Sequence, residues 1–194
     1  MKKILFLLLL NIAPFILFAQ IDSVHMVFKG VPIDGTLKEY VQKMQKKGFS
    51  LVFTEDGIAI LEGDFAGYKK CQIGVATLKE KDLVNKITVI FPQCNTWSSL
   101  SSDYFSLKDM LSEKYGELTI CVETFKTEIR PKDDDSKLHE VGMDRCVYYT
   151  IYETKNGTIR LAISHDGFSS YFVTLTYSDK INSDIIKKKA LEDL

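Results

Sequence analysis

The first half of the chain changes from a helical to a strand-like spacing of apolar residues. Thr36 and Glu39 stand at the spacing of a capping box, and Gly48 is typical of a helix end. Between them apolar side chains recur every three or four positions, at Leu37, Tyr40, Val41 and Met44. This pattern predicts an amphipathic helix within residues 33–48.

The segments after this helix favour strands. Apolar and β-branched residues fill 49–53 and 58–61 around a turn that contains Gly57. Two more such runs, 71–78 and 86–91, flank a polar loop at 79–82. The first half therefore predicts one helix followed by about four strands.

The second half repeats this order. A helical stripe follows residues 97–102 and ends at Gly116; it consists of Tyr104, Leu107, Leu111 and Tyr115. Strands are predicted at 118–127 and 145–154, with a charged loop at 128–140 between them. After a turn at 165–170, the last strand, 171–177, places four residues inward: Tyr171, Val173, Leu175 and Tyr177. A short Lys-rich helix is predicted at 184–191.

Asn156-Gly157 is the strongest hairpin signal in the chain, because both residues tolerate the positive φ of a type I′ turn. A two-residue turn at this position sets the register of the flanking strands. The predicted cross-strand pairs are Tyr152 with Leu161, Thr150 with Ile163, and Glu153 with Arg160.

The predicted fold is α+β, a single domain over residues 20–194. It consists of two tandem units, about 30–94 and 97–180, each a helix followed by about four antiparallel strands. The helices are expected to pack on one face of the sheet, and a short C-terminal helix follows.

Residues 1–19 have the features of a cleaved secretory signal peptide. Lys2 and Lys3 precede an apolar run over 4–18, and the small Ala19 favours cleavage just after it. A membrane anchor is the alternative, but spanning a bilayer takes about 20 apolar residues, and Asn11 and Pro14 interrupt this shorter run. We expect a mature protein without a membrane span, in the periplasm or secreted.

The net charge of the chain excludes one class of binding partner. The chain carries 25 basic and 26 acidic side chains, a formal net charge of −1, and loss of Lys2 and Lys3 makes the mature chain more negative. A protein without excess positive charge does not attract phosphates over a distance, so nucleic acid is not an expected partner.

Four cysteines in an oxidising compartment predict two disulfides. If the loops at 79–82 and 128–140 close hairpins, the predicted registers bring Cys71 opposite Cys94 and Cys121 opposite Cys146. The alternative joins the two units, through Cys71–Cys146 and Cys94–Cys121.

The chain lacks a recognisable catalytic motif. His25, His139 and His165 are its three histidines, and none stands in a known catalytic or metal-binding pattern. Asp133, Asp134 and Asp135 are adjacent rather than alternating, which favours a solvated loop over a calcium site. We therefore expect neither an enzyme nor a bound metal or cofactor.

Aromatic residues offer another functional signal. On alternating strands Tyr149 and Phe172 point away from the side that holds Tyr148 and Tyr171. Exposed aromatic side chains on a sheet commonly mark a partner surface. The candidate binding residues are Tyr149, Phe172, Trp97 and Phe168; burial of this face by the terminal segments or by the other unit is the alternative.

The order of helix and strands, the export signal and the cysteine pairs resemble the β-lactamase-inhibitor-protein-like architecture. This architecture is similar to the small outer-membrane assembly lipoproteins in its helix-then-strands module. The most family-like stretch is a helix ending in Lys-Tyr-Gly, with Tyr104, Leu107, Lys108, Leu111, Lys114, Tyr115 and Gly116. The chain also resembles uncharacterised secreted proteins of Gram-negative bacteria, in the segments 30–36 and 63–68.

These features lead to one functional expectation. The protein is predicted to be an exported, non-enzymatic binding protein that engages a protein partner in the cell envelope or outside the cell. The alternative is a small-ligand carrier or an enzyme, with a site between the two units that includes His165.

Overall fold

The computed structural model describes residues 25–78 and 81–192; the predicted signal peptide and its cleavage site lie outside them. The described chain is α+β, with four helices and an eight-stranded antiparallel sheet. The helices are α1 (Leu37–Gln45), α2 (Trp97–Tyr115), α3 (Asp134–Gly142) and α4 (Lys180–Glu192). None of these described helices is long and apolar enough to cross a membrane.

Two short strands, β1 (Val27–Phe28) and β2 (Val31–Pro32), form a separate hairpin before α1. The large sheet contains β3 (Ser50–Glu55), β4 (Ile58–Phe65), β5 (Tyr68–Leu78), β6 (Lys81–Ile90), β7 (Ile120–Phe125), β8 (Cys146–Thr154), β9 (Gly157–Asp166) and β10 (Ser170–Asp179). Its spatial order is β3-β4-β5-β6-β10-β9-β8-β7. The strands β6 and β10 therefore meet at the centre, and β3 and β7 form the edges.

The first two predicted helices are confirmed. In α1, the Thr36 hydroxyl accepts a hydrogen bond from the backbone N–H of Glu39, and the Glu39 carboxylate accepts one from the N–H of Thr36. This reciprocal cap satisfies two N–H groups that lack partners within the helix. The apolar stripe that the sequence predicts is buried, as are five side chains of α2: Trp97, Leu100, Tyr104, Leu107 and Leu111.

The core lies between the helices and one side of the sheet, here called the covered face. Alternate strand residues point into it, among them Leu61, Ile73, Val89, Leu161 and Val173. The last strand alternates as predicted, because Tyr171, Val173, Leu175 and Tyr177 are all buried. The opposite side, here called the open face, keeps its side chains partly exposed to solvent, except for buried Ala162.

The predicted loop at 128–140 is wrong in its second part, which forms α3. The Asp133 carboxylate caps this helix by accepting a hydrogen bond from the Ser136 N–H at 2.8 Å. Acidic residues in the first turn interact favourably with the helix dipole, so Asp134 and Asp135 support the helix start. Leu138 and Val141 anchor α3 in the core.

The predicted hairpin register at Asn156-Gly157 is also wrong, by two residues. The turn consists of Lys155 and Asn156, and the pairs are Tyr152 with Ile159, Thr150 with Leu161, and Glu153 with Thr158. A shift of two residues leaves every side chain on its predicted face. Gly157 belongs to the strand, where a Cβ atom would lie 2.1 Å from the Ser178 carbonyl oxygen. The glycine therefore serves close backbone approach rather than the turn.

The C-terminal helix begins earlier than predicted, at Lys180 instead of residue 184. Its start is tied to buried Asp179, whose carboxylate accepts hydrogen bonds from the backbone N–H groups of Asn182, at 2.9 Å, and Met26, at 2.6 Å. The Asn182 side chain is buried too and donates to the carbonyl oxygens of Ile33 and Val84. This network joins α4 to the N-terminal hairpin.

Candidate functional site

The predicted disulfides do not form, since all four cysteines are free thiols. Cys121 lies opposite Thr150 and Cys146 opposite Phe125, so the two thiols are four positions out of register. At ~3.3 Å per residue this offset is about 13 Å. Helix α3 occupies part of the segment that the prediction treated as a hairpin loop, which explains the different register.

Cys71 and Cys94 are displaced as well. Gln72 lies opposite Ile90, a register that places Phe91, not Cys94, across from Cys71. Cys94 lies beyond the end of β6 and forms an isolated bridge with Tyr171. Its thiol donates to the Asp103 carboxylate at 3.3 Å.

Three of the thiols are held in the neutral form. Burial raises the pKa of Cys71 to about 11, of Cys94 to about 12 and of Cys146 to about 12, and the Asp103 carboxylate adds to the effect at Cys94. The thiolate is the reactive form, so burial suppresses chemistry at these positions. Cys121 differs because it is exposed and lies 3.3 Å from the Lys108 ammonium nitrogen.

Edge strand β7 carries a compact polar cluster against α2. Lys108 Nζ lies 2.5 Å from Glu123 Oε1, and the Tyr104 hydroxyl lies 3.3 Å from the same oxygen and 2.6 Å from the Thr150 hydroxyl. Burial acts to raise the pKa of the Glu123 carboxyl, but the hydrogen bonds from Lys108, Cys121 and Tyr104 and the charge of Lys108 together hold it below its usual value. The cluster is a half-buried ion pair with satisfied hydroxyls, an arrangement that fixes the edge strand to the helix.

The histidines form local contacts rather than a catalytic set. His25 Nδ1 lies 3.1 Å from Asp179 and belongs to the network at the start of α4. His165 Nδ1 lies 2.8 Å from the Gly167 carbonyl oxygen and Nε2 lies 3.0 Å from Asp144. The hydrogen bond to Asp144 raises the pKa of the His165 imidazole. Both ring nitrogens are thus engaged, and His139 lies apart in the last turn of α3.

Asp133, Asp134 and Asp135 lie at the start of α3 instead of in the predicted solvated loop. Asp133 and Asp134 hydrogen-bond to helix starts, the former to Ser136 of its own helix and the latter to Ser98 of α2. Within residues 25–78 and 81–192, His, Cys, Asp and Glu side chains form no group of three or more that could hold a metal ion.

The open face brings together two of the predicted binding residues. Tyr149 pairs across the sheet with Ala162, and Phe172 pairs with Ser164. Both aromatic side chains are half-buried and lie on opposite sides of strand β9, whose small residues separate them. Strand spacing of ~4.8 Å and a two-residue offset put their backbones about 12 Å apart.

Hydroxyl groups continue this face toward the centre of the sheet. Thr88 hydrogen-bonds to Thr176 at 3.2 Å, and Ser164 to Thr174 at 3.0 Å. These bonds run between neighbouring strands and fix the side chains that make them.

Trp97 and Phe168 lie elsewhere. Trp97 is only 7% exposed and packs in the core, its ring centroid 5.1 Å from that of Phe125 and 5.2 Å from that of Tyr148. Phe168 is 65% exposed in the turn before β10, but its ring rests against Gly142 of α3. The sequence prediction thus groups four aromatic residues of which the structure brings only Tyr149 and Phe172 to one surface.

Arg160 is the member of this surface that the sequence prediction missed. It pairs with Ile151, and its guanidinium carbon lies 5.0 Å from the centroid of the Tyr149 ring, within the range of a cation–π contact. The predicted register assigned it to an ion pair with Glu153. Its parity along β9, the same as that of Ala162, is the signal that places it on the open face.

None of the known protein-family models, curated proteins or solved structures matches this chain. The chemistry of the open face therefore carries the functional argument.

Proposed function

We propose that this protein is an exported, non-enzymatic binding protein whose open face engages a protein partner in the cell envelope or outside the cell. One observation carries the proposal: Tyr149, Phe172 and Arg160 lie together on a face whose side chains remain partly exposed. Tyrosine and arginine are enriched among the residues that dominate protein–protein binding energy.

The chemistry of this surface suits a partner with apolar and acidic side chains. Ala162 and Ser164 are small and lie on the strand between those of Tyr149 and Phe172. Ala162 is only 2% exposed, so the rings and the guanidinium, not the strand backbone between them, would form the contact surface. A partner that offers an apolar side chain to the rings and a carboxylate to Arg160 would match the chemistry and the charge of this surface.

Rigidity adds to the argument. The binding residues stand on β8, β9 and β10, which pair with each other along most of their length. The backbone of such strands is already ordered, so binding here avoids the entropic cost of ordering a loop.

The two-unit organisation belongs to the same proposal. In each half a helix precedes four strands, and the last strands of the halves, β6 and β10, are neighbours in the sheet. We assign these halves to tandem units of the β-lactamase-inhibitor-protein-like type, exported by the signal peptide at 1–19 and released into the periplasm or secreted. The sheet order and the resemblance of the 104–116 helix support this assignment.

Site-specific photo-crosslinking in the organism that encodes the protein tests the binding face. Benzoylphenylalanine replaces Tyr149 or Phe172 on the open face, and Met110, which is 43% exposed on α2, serves as the control position. We expect one discrete protein adduct from both open-face positions and none from position 110.

Equal adducts from position 110, or none from either open-face position, would contradict the proposal. An Arg160→Ala change in the background of the position-172 crosslinker refines the test. It should weaken the adduct band because the guanidinium is proposed to contact the partner while the crosslinker itself is unchanged.

A further inference from the structure

A second surface of the molecule is concave and apolar. A cavity of about 460 Å³ lies between the N-terminal hairpin, the end of α2, the β8–β9 turn and β10. Its apolar lining includes Phe28, Phe65, Tyr115, Ile159 and Tyr177. Ligand pockets in proteins commonly measure about 300 to 1,000 Å³, so this cavity is large enough for a small molecule.

The floor of the cavity is firmly packed. Phe28 is 2% exposed, stacks on Phe65 with ring centroids 5.2 Å apart, and meets the Tyr177 ring edge-on at 5.3 Å. Burial and a hydrogen bond with Tyr115 raise the pKa of Tyr177, so its hydroxyl stays protonated within the wall of the cavity. The lining is preformed and aromatic, as a binding site for a flat or short apolar group requires.

The rim of the same cavity is positively charged. Lys29 and Lys114 contribute to the lining, whereas its described residues include no Asp or Glu. Lys29 Nζ lies 5.9 Å from the Phe65 ring centroid, and Lys114 Nζ lies 5.0 Å from that of Tyr115. The ammonium groups are therefore held next to the apolar wall, where a bound anion would meet them.

We propose that this cavity binds a small apolar molecule that carries one anionic group, such as an aromatic or short acyl carboxylate. The apolar body would lie on the aromatic floor and the anion would face Lys29 and Lys114. The ion pair contributes little binding energy alone, because exposed ammonium groups are well solvated. The apolar contact also contributes little alone, because the floor is small. The site is separate from the open face, so the proposal does not depend on the proposed function.

Anilinonaphthalene sulfonate is a suitable probe, because it combines an aromatic body with one anionic group. Its neutral analogue, phenylnaphthylamine, has the same ring system without the sulfonate. Fluorescence titration and equilibrium dialysis of the full mature chain measure affinity and stoichiometry. We expect one sulfonate probe per chain, bound at least tenfold more tightly than the neutral amine, a difference of about 1.4 kcal/mol.

The Lys29→Met/Lys114→Met double variant tests the location. The affinity for the sulfonate probe should fall at least tenfold, and the affinity for the neutral amine should stay unchanged. The matched control, Lys38→Met/Lys46→Met, removes two exposed lysines of the α1 region and should change neither affinity. An unchanged affinity in the first double variant, equal affinity for both probes, or no saturable binding below ~1 mM would overturn the proposal.

Discussion

The two faces of the eight-stranded sheet differ in what their side chains do. On the covered face, residues such as Leu161 and Ile73 are fully buried, and the hydroxyl of Thr150 is satisfied by Tyr104 at 2.6 Å. On the open face, Tyr149, Phe172 and Arg160 keep solvent access although they stand on the same strands. Within residues 25–78 and 81–192, the hydrophobic core lies on the covered face and does not include Tyr149 or Phe172. Substitutions on the covered face should therefore lower stability, and substitutions on the open face should weaken partner binding.

The largest expected effect is the loss of a core side chain from the covered face. Leu161→Ala should lower the free energy of unfolding by about 2 to 5 kcal/mol, because it removes buried methyl groups and leaves a cavity. Urea denaturation followed by circular dichroism measures it. The control, Thr176→Val on the open face, should change stability by less than about 1 kcal/mol. Equal losses would mean that both faces are packed.

Asp179 is the charged exception on the covered face. Asp179→Ala should cost about 2 to 4 kcal/mol, because it leaves the buried N–H groups of Met26 and Asn182 without their acceptor. Asp179→Asn retains one acceptor oxygen and should cost less. Urea denaturation measures both, and hydrogen exchange should show faster exchange in α4. If Asp179→Ala left the free energy of unfolding unchanged, this network would not be a stabilising element.

The reactivity of the thiols should differ between the buried positions and the exposed edge of the sheet. Neutral dithiodipyridine should modify Cys121 at least tenfold faster than Cys71, Cys94 or Cys146, whose pKa values burial raises to about 11 or 12. Mass spectrometry of quenched samples identifies the site. Lys108→Met should slow modification of Cys121, because it removes the ammonium group 3.3 Å from the sulfur. Fastest labelling at a buried cysteine would contradict the burial pattern.

The smallest effect concerns His165, at the end of β9. The hydrogen bond to Asp144 raises its pKa above 6.5 in the folded protein. The stabilisation is therefore complete below the unfolded-state pKa and is lost as the pH rises through the higher folded-state value. Because the Asp144 side chain is 90% exposed, we expect about 0.2 to 1 kcal/mol.

Urea midpoints of the wild type and Asp144→Asn at several pH values test this assignment. At pH values below the His165 pKa, the urea midpoint of the wild type should be higher than that of the variant. This difference in midpoint should shrink as the pH rises. A difference that grows with pH would have the wrong sign.

Local patterns in the sequence predict much of the fold. The Thr36–Glu39 cap and the alternation in β10 depend on neighbouring residues, and both are confirmed. The sequence predictions are wrong where a feature depends on distant contacts. Gly157 is explained by its approach to Ser178, and the offset between Cys121 and Cys146 depends on where α3 interrupts the chain. No spacing within a single segment encodes these relations.

In the candidate site too, the sequence predicts the features that depend on local patterns and misses those that depend on distant contacts. Strand parity places Tyr149 and Phe172 on one face, because the period of two survives a register shift of two residues. Trp97 cannot be assigned this way, since it is the first residue of α2 and its burial depends on contacts with Phe125 of β7 and Tyr148 of β8. The contact of Arg160 with Tyr149 likewise requires the actual pairing of β8 with β9.

The central claim is that the open face binds a protein partner, and quantitative capture tests it most directly. Wild-type protein, Tyr149→Ala/Phe172→Ala and the control Phe105→Ala/Met110→Ala, which removes two exposed apolar side chains from α2, are compared as baits. The bait proteins are matched for fold by circular dichroism, and the partner cross-linked at position 172 is quantified by mass spectrometry. We predict at least tenfold less partner on the open-face variant and unchanged capture by the control. Equal capture by all three baits would contradict the account.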